Sequence, residues 1–299
     1  MRILVLGFTG YLGAHVADRL RALPGALVLG AGRSPDAGYG VDLASARPAD
    51  LARTLASAAP DAVVNCAGAT GGDAVTLAEV NARGPAVLCA ALREAAPGAR
   101  LVHLGSAAEY GPGVPGTPVT ESAPTCPAGP YGATKLAGTA AVTASGLDAV
   151  VLRVGNPVGP GAPAGGLPGR MAALLREAGR APDAVLRLGD LSAYRDFVDV
   201  RDVARAAELA VTAPGPLPPV LNVSAGRAVP VRELVLGLAA RAGFRGRIEE
   251  TVDGGRSVRS ADVSWQCSDI GAAERALGWR PAHTLDEALA ALWEGDGTP

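Results

Sequence analysis

The chain has 299 residues, enough to bury a substantial core in one large domain or two unequal ones. A formal charge of −2 gives no electrostatic basis for binding nucleic acid or an anionic membrane, and 48% hydrophobic against 19% charged residues is the balance of a globular enzyme. No apolar run approaches the roughly 18–20 residues of a membrane-spanning helix, and the start MRILVLGFTG lacks the pattern of a signal peptide, so a cytoplasmic location is expected.

Residues 2–7 (RILVLG) read as a buried strand, followed by a glycine turn and a helix to about Leu23. Further strands are expected at 26–31, 62–67, 100–105 and 149–154, with helices at 48–59 and 76–96 between them. The segment 112–130, rich in Pro, Gly and Thr, is a loop ahead of the helix that carries Lys135. Residues 155–168 (GNPVGPGAPAGGLP) read as a second long loop and a domain seam. Beyond it, helices at 171–179, 200–212 and 231–242 mix with short strands at 185–188 and 220–223.

This alternation predicts βαβ units and a doubly wound parallel α/β sheet of the Rossmann type over residues 1–155. Residues 156–299 are expected to form a smaller α/β substrate lobe, with part of the chain returning to the main sheet.

Gly7, Gly10 and Gly13 form a Gly-x-x-Gly-x-x-Gly turn between the first strand and helix, where the backbone can approach a pyrophosphate at a helix N-terminus. A carboxylate at the end of the second strand would accept a ribose 2′-hydroxyl, but the chain reads Gly32-Arg33-Ser34. A guanidinium and a hydroxyl suit a 2′-phosphate, so NADP(H) is expected over NAD(H); a solvated surface arginine is the alternative. Asp42 is a candidate partner for the adenine amino group.

Of 27 basic residues, Lys135 is the sole lysine. It follows Tyr131 by four residues, which puts both side chains on one helix face. A free tyrosine has a pKa of about 10, too high for proton exchange near neutrality, and an adjacent ammonium favours the phenolate. Arginine cannot replace a compact ammonium that must reach two partners. Ser106, just past the fourth of these strands, could hydrogen-bond a reacting carbonyl. Tyr110 has no lysine at +4 and reads as structural. Cys66, Cys89, Cys126 and Cys267 are scattered and form no Cys-x-x-Cys pair, and the three histidines are dispersed, so no metal site is expected.

Taken with GFTGYLG (7–13), GSAAEYG (105–111), PYGATK (130–135), LRVGNPVGPG (152–161), RDFVDVRDVARA (195–206), LNVSAG (221–226) and LGWRP (277–281), the chain resembles the extended short-chain dehydrogenase/reductases of the NAD-dependent epimerase/dehydratase family, which act on nucleotide sugars. The resemblance implies Ser106, Tyr131 and Lys135 as the catalytic set, with Tyr131 and Lys135 also touching the cofactor. It adds Thr9, Tyr11, Leu12, Leu43, Ala67 and Val154 to the cofactor contacts. For a nucleotide-sugar substrate it implies Ser106, Ala107, Asn156, Arg195, Arg259 and Asp262, and it implies a homodimer through helices near 76–96 and 131–145.

Dehydratases of this group carry an acid/base carboxylate two or three residues before the tyrosine of the YG element; here those positions are Ala107 and Ala108, which disfavours elimination. The segment 188–206 is similar to that of ketoreductases of the GDP-4-keto-6-deoxy-mannose type. The expectation is therefore NADPH-dependent reduction of a keto group on a nucleotide-activated 6-deoxyhexose. A nucleotide-sugar 4-epimerase using NAD, a ketoreductase of a non-nucleotide metabolite and a non-catalytic NADP-sensing protein stay open as alternatives.

Overall fold

The computed structural model describes residues 1–251 and 263–295. In chain order the elements are β1 (Arg2–Leu6), α1 (Tyr11–Arg21), β2 (Leu27–Gly32), β3 (Tyr39–Gly40), α2 (Pro48–Ala58), β4 (Ala62–Asn65), α3 (Ala74–Ala78), α4 (Gly84–Ala95), β5 (Arg100–Ser106), α5 (Pro130–Thr143), β6 (Ala149–Val154) and β7 (Asn156–Val158). There follow α6 (Leu167–Ala178), β8 (Val185–Leu188), β9 (Tyr194–Asp199), α7 (Val200–Thr212), β10 (Val220–Val223), β11 (Ala228–Pro230), α8 (Val231–Arg241), β12 (Arg247–Glu250), α9 (Gly271–Leu277) and α10 (Leu285–Gly295).

Seven strands form one parallel sheet in the order β10-β6-β5-β4-β1-β2-β3. The chain steps outward from β1 to β2 and β3, then returns to β4 on the other side of β1. That reversal opens a crevice at the carboxyl ends of β1 and β4, where α/β proteins of this kind bind ligands. Both faces are covered, so the strands are mainly apolar, with a few buried polar residues such as Asn65, His103, Arg153 and Asn222. Ile3 and Val5 pack with Val16, Leu20 and Val203 on one face, and Leu4 and Leu6 pack with Leu51, Leu55 and Leu88 on the other. A third cluster, built on Met171, Leu175, Phe197, Leu234, Leu238 and Leu292, lies apart from the main sheet with β7, β9, α6, α8 and α10. β9 pairs with β7 in parallel and with β11 antiparallel, and β8 pairs with β12. No described helix is long and apolar enough to cross a membrane.

Two expectations are corrected. The helix read at 76–96 is interrupted: Glu79–Arg83 form a π-helical turn between α3 and α4. Leu, Val and Ala spacing cannot register the extra residue such a turn inserts. The loop read at 155–168 begins as a strand, β7, whose Pro157 sits between residues that pair with β9.

His103, on β5, is buried in the main sheet, where Asn65 fixes its tautomer. The Asn65 Oδ1 accepts the Ala67 N–H, which turns Nδ2 towards His103 Nδ1 at 3.0 Å. Burial, with the Lys135 charge adding to it, holds the imidazole well below the usual 6.5. The unfolded chain therefore binds a proton near pH 6.5 that the folded chain refuses, so stability is complete above that pH and lost as the pH falls below it. Urea unfolding across a pH series is expected to show a loss of up to about 1.4 kcal/mol per pH unit from this group below 6.5. The loss should be absent in His103→Leu.

Candidate functional site

A cavity of about 890 Å³ opens at the crevice. Its walls come from the β1–α1 turn (Gly10, Tyr11, Leu12), the segment after β4 (Cys66 to Gly71), the end of β5 (Ser106, Ala107, Ala108), α5 (Tyr131, Lys135), the end of β6 with β7 (Val154, Asn156) and, from the smaller cluster, Arg170, Asp190 and Arg195.

The glycine turn is folded tightly on itself. Gly7 has φ +73°, and Gly10 N–H bonds back to the Gly7 carbonyl at 2.9 Å. α1 starts at Gly10 without a side-chain cap, so its first N–H groups are left for a ligand. Gly7, Thr9 and Gly13 shape the turn from behind and do not line the cavity. Arg33 is exposed at the end of β2 and makes no hydrogen bond or ion pair among the described residues. Ser34 Oγ is turned to Asp36. Asp42 accepts from Ala44 N–H and Ser45 Oγ, and Leu43 is buried beside Gly84. Arg33, Ser34, Asp42 and Leu43 all lie outside the cavity wall.

Tyr131, Lys135 and Ser106 share that wall. α5 begins with Pro130 at its first turn, which presets the backbone and brings Tyr131 to the cavity, half-buried. Lys135 lies one turn deeper, 5% exposed, and its Nζ donates to the Leu104 carbonyl at 2.5 Å. Burial draws this ammonium below the usual lysine range, and the charge of Glu109 opposes that most, with Cys66 adding to it only where the thiol ionises. The Cys66 thiol is itself pushed up to about 12 by burial, against the pull of Lys135. Ser106 Oγ accepts Ala108 N–H at 3.2 Å, and Ser106 N–H donates to Glu109 Oε1 at 2.8 Å, a reciprocal box that ends β5 in a fixed turn.

On the lobe side, Asn156 Nδ2 donates to the Asp196 carbonyl at 3.1 Å, and its Oδ1 has no partner among the described residues. Arg195 is 7% exposed, and burial lowers its guanidinium from the usual range. Its neighbour Asp196 turns the other way and accepts the N–H groups of Ala225, Gly226 and Ser268, tying three chain segments together behind the cavity. Arg259 and Asp262 lie outside the described residues.

Three polar residues were passed over in the sequence. Asn81, in the π turn, bonds the Ala69 N–H and carbonyl, both at 2.9 Å, and so fixes the wall segment after β4. Its signal was an asparagine on the apolar face of a helical pattern. Gln266 is buried and reaches Ala107 O at 2.8 Å across 159 residues, which no local pattern could announce. Glu109, which precedes Tyr110 in the GSAAEYG segment, is completely buried, and nothing in its local sequence signals that.

A glycine turn at the first βα junction, uncapped helix N–H groups and a deep wall carrying tyrosine and lysine fit a nicotinamide dinucleotide, and the fold and site define a dinucleotide-dependent oxidoreductase. The model of the NAD-dependent epimerase/dehydratase family matches residues 3–224, and the chain belongs to that family. It is 39% identical, over 99% of its own length and 96% of the relative's, to a dTDP-6-deoxy-L-talose 4-dehydrogenase (NAD(P)(+)) of Kitasatospora kifunensis. Among solved structures it is similar to MoeE5 in complex with UDP-glucuronic acid and NAD (28% identity, TM-score 0.84, 99% of each chain covered). It is also similar to RMD from Pseudomonas aeruginosa complexed with NADPH (26% identity, TM-score 0.84, 98% of each chain covered).

Proposed function

We propose that the chain is an NADPH-dependent reductase of the keto group at carbon 4 of a nucleotide-linked 6-deoxyhexose, with a dTDP-linked sugar as the first candidate. The observation that carries the reading is the make-up of one wall: Ser106, Tyr131 and Lys135 are all there, while Ala107 and Ala108 occupy the positions where elimination would need a carboxylate. The talose dehydrogenase relative supports oxidoreduction at carbon 4 of such a sugar and accepts either nicotinamide cofactor by its name.

A reduced nicotinamide dinucleotide, its pyrophosphate held by the glycine turn and its nicotinamide end by Tyr131 and Lys135, would supply the hydride. Ser106 Oγ hydrogen-bonds the substrate carbonyl and polarises it. Tyr131 gives its phenolic proton to the oxygen as negative charge develops there. The Lys135 ammonium, on the same helix face, favours the phenolate that results and donates to the nicotinamide ribose. Arg195 and Asn156 hold the nucleotide-sugar from the lobe side, a guanidinium being suited to a diphosphate.

The test is to follow cofactor absorbance with a dTDP-4-keto-6-deoxyhexose generated in situ. Net NADPH oxidation with a reduced sugar product is the expected result. Inversion at carbon 4 without net oxidation would replace the reading with an epimerase. The guanidinium of Arg33, without a partner among the described residues, supports the preference for NADPH: in Arg33→Ala, KM for NADPH is expected to rise about 10–100-fold while NADH kinetics stay within about twofold. Equal losses with both cofactors would remove Arg33 from the 2′-phosphate site.

A further inference from the structure

We propose that Glu109 is a positioning residue of the reaction centre: one buried carboxylate holds the Ser106 backbone and keeps a negative charge beside the Lys135 ammonium. The inference rests on the roles proposed above for Ser106 and Lys135.

The carboxylate is 0% exposed, a placement that is costly for a lone charge. Oε1 accepts the Ser106 N–H at 2.8 Å, and Oε2 accepts Arg153 Nε at 2.7 Å. Room for it is made by Gly105: a side chain there would begin 2.8 Å from Oε1 and 2.7 Å from Val151 Cγ1. The Leu104 carbonyl that receives Lys135 Nζ belongs to the peptide unit joined to this same Gly105, so the ammonium and the carboxylate flank one short piece of β5.

Arg153 is in turn fixed from behind. Its guanidinium lies 4.5 Å from the Tyr110 ring centroid, and Tyr110 Oη donates to Asn222 Oδ1 at 2.8 Å. A buried ion pair whose only task is stability is replaceable by apolar side chains. Glu109 differs in having two cations to serve, Arg153 and Lys135, and in bonding the backbone of the serine on the cavity wall.

Among the described residues, the titratable groups that face Lys135 are Cys66 at the end of β4, His103 on β5, Glu109 and, one turn back on α5, the phenol of Tyr131, which carries no charge before it gives up its proton. The first is a neutral thiol and the second a neutral imidazole, so the carboxylate is the anion that favours the charged lysine. Without it Lys135 loses its proton at a lower pH, and binding that depends on the ammonium weakens at a lower pH with it.

The experiment measures the NADPH dissociation constant across pH by fluorescence, which needs no substrate, together with kcat and KM. Glu109→Gln keeps an oxygen for Ser106 N–H and removes the charge. Glu109→Leu/Arg153→Met removes the pair without stranding Arg153, and reads the same limb if the single variant does not fold. The alkaline limb of wild-type binding should be absent in Lys135→Met and should fall by about one pH unit in Glu109→Gln. In the Leu/Met variant kcat should fall at least about 10-fold with KM within about threefold, because the serine is no longer held. An unmoved limb, or kcat within twofold of wild type in the Leu/Met variant, would leave Glu109 a purely structural ion pair and overturn the inference. A limb that persists in Lys135→Met would refute the role of Lys135 itself and take the inference down by that separate route.

Discussion

Replacing Tyr131 by phenylalanine is expected to cut kcat by about 10²–10⁴, the range for losing a positioned general acid, while NADPH binding changes by less than about threefold. The substitution deletes one oxygen and leaves the local backbone untouched. Thr134 Oγ1 bonds the Tyr131 carbonyl at 3.0 Å, a contact that phenylalanine keeps. Pro130 still sets the first turn of α5, and Lys135 still reaches Leu104 O. A loss of that size is about 3–5.5 kcal/mol of transition-state stabilisation, too much for a change in packing at a half-buried position. It should appear equally in kcat and kcat/KM, because the proton is needed only as charge develops on the substrate oxygen. Single-turnover kinetics with NADPH already bound would check it. A variant retaining a third or more of wild-type turnover would mean that water or another group protonates the product, and the chemistry assigned to this wall would have to be rebuilt.

The elements legible in the sequence are those whose burial leaves a simple signature. β1, β4, β5 and β6 are covered on both faces and read as mainly apolar runs, interrupted only by His103 in β5 and Arg153 in β6. The glycine turn and the Tyr131/Lys135 pair are local in sequence, so their spacing could be read there, given weight by the turn's place after the first strand and by Lys135 being the sole lysine. What escaped depends on contacts between distant segments. β9 carries Arg195, Asp196 and Asp199 yet is buried apart from Tyr194, because the two carboxylates accept the N–H groups of Arg201, Ala225, Gly226 and Ser268 and the Arg201 side chain, while Arg195 donates to the Tyr194 carbonyl. A hydropathy pattern scores such a strand as surface. Trp279 is fully buried and donates to the Asp202 carbonyl at 2.9 Å, and Asp202 accepts the N–H groups of Ala282 and His283. The LGWRP segment is thus an anchor of α7, a role no property of its five residues reveals. Glu109 is the sharpest case: its neighbours in sequence are Ala108 and Tyr110, and the arginine that explains its burial is 44 residues away.

The three glycines of the β1–α1 turn are expected to fail for different reasons when each is replaced by alanine. At Gly13 a Cβ would lie 2.0 Å from the Gly7 carbonyl oxygen, which is backbone and cannot swing aside. At Gly7 the φ of +73° disfavours any side chain, and the Cβ would meet the Ala67 nitrogen at 2.7 Å. Gly10 differs from both. Its φ of −77° and ψ of 165° are ordinary extended values, and the nearest atom to a Cβ is Gly7 O at 3.1 Å, a contact relieved by a few tenths of an ångström. Gly10 alone of the three lines the cavity. Gly13→Ala should therefore lower Tm by about 4–10 °C through overpacking, before any ligand is considered. Gly10→Ala should leave Tm within about 2 °C and raise the NADPH dissociation constant at least 10-fold, because a methyl group stands where the pyrophosphate must approach the backbone. Differential scanning calorimetry without cofactor, paired with fluorescence titration, separates the two. Tight binding by a folded Gly10→Ala variant would move the dinucleotide off the turn; equal losses of Tm in both variants would mean that the turn tolerates no side chain anywhere, and that its glycines serve folding before they serve the ligand.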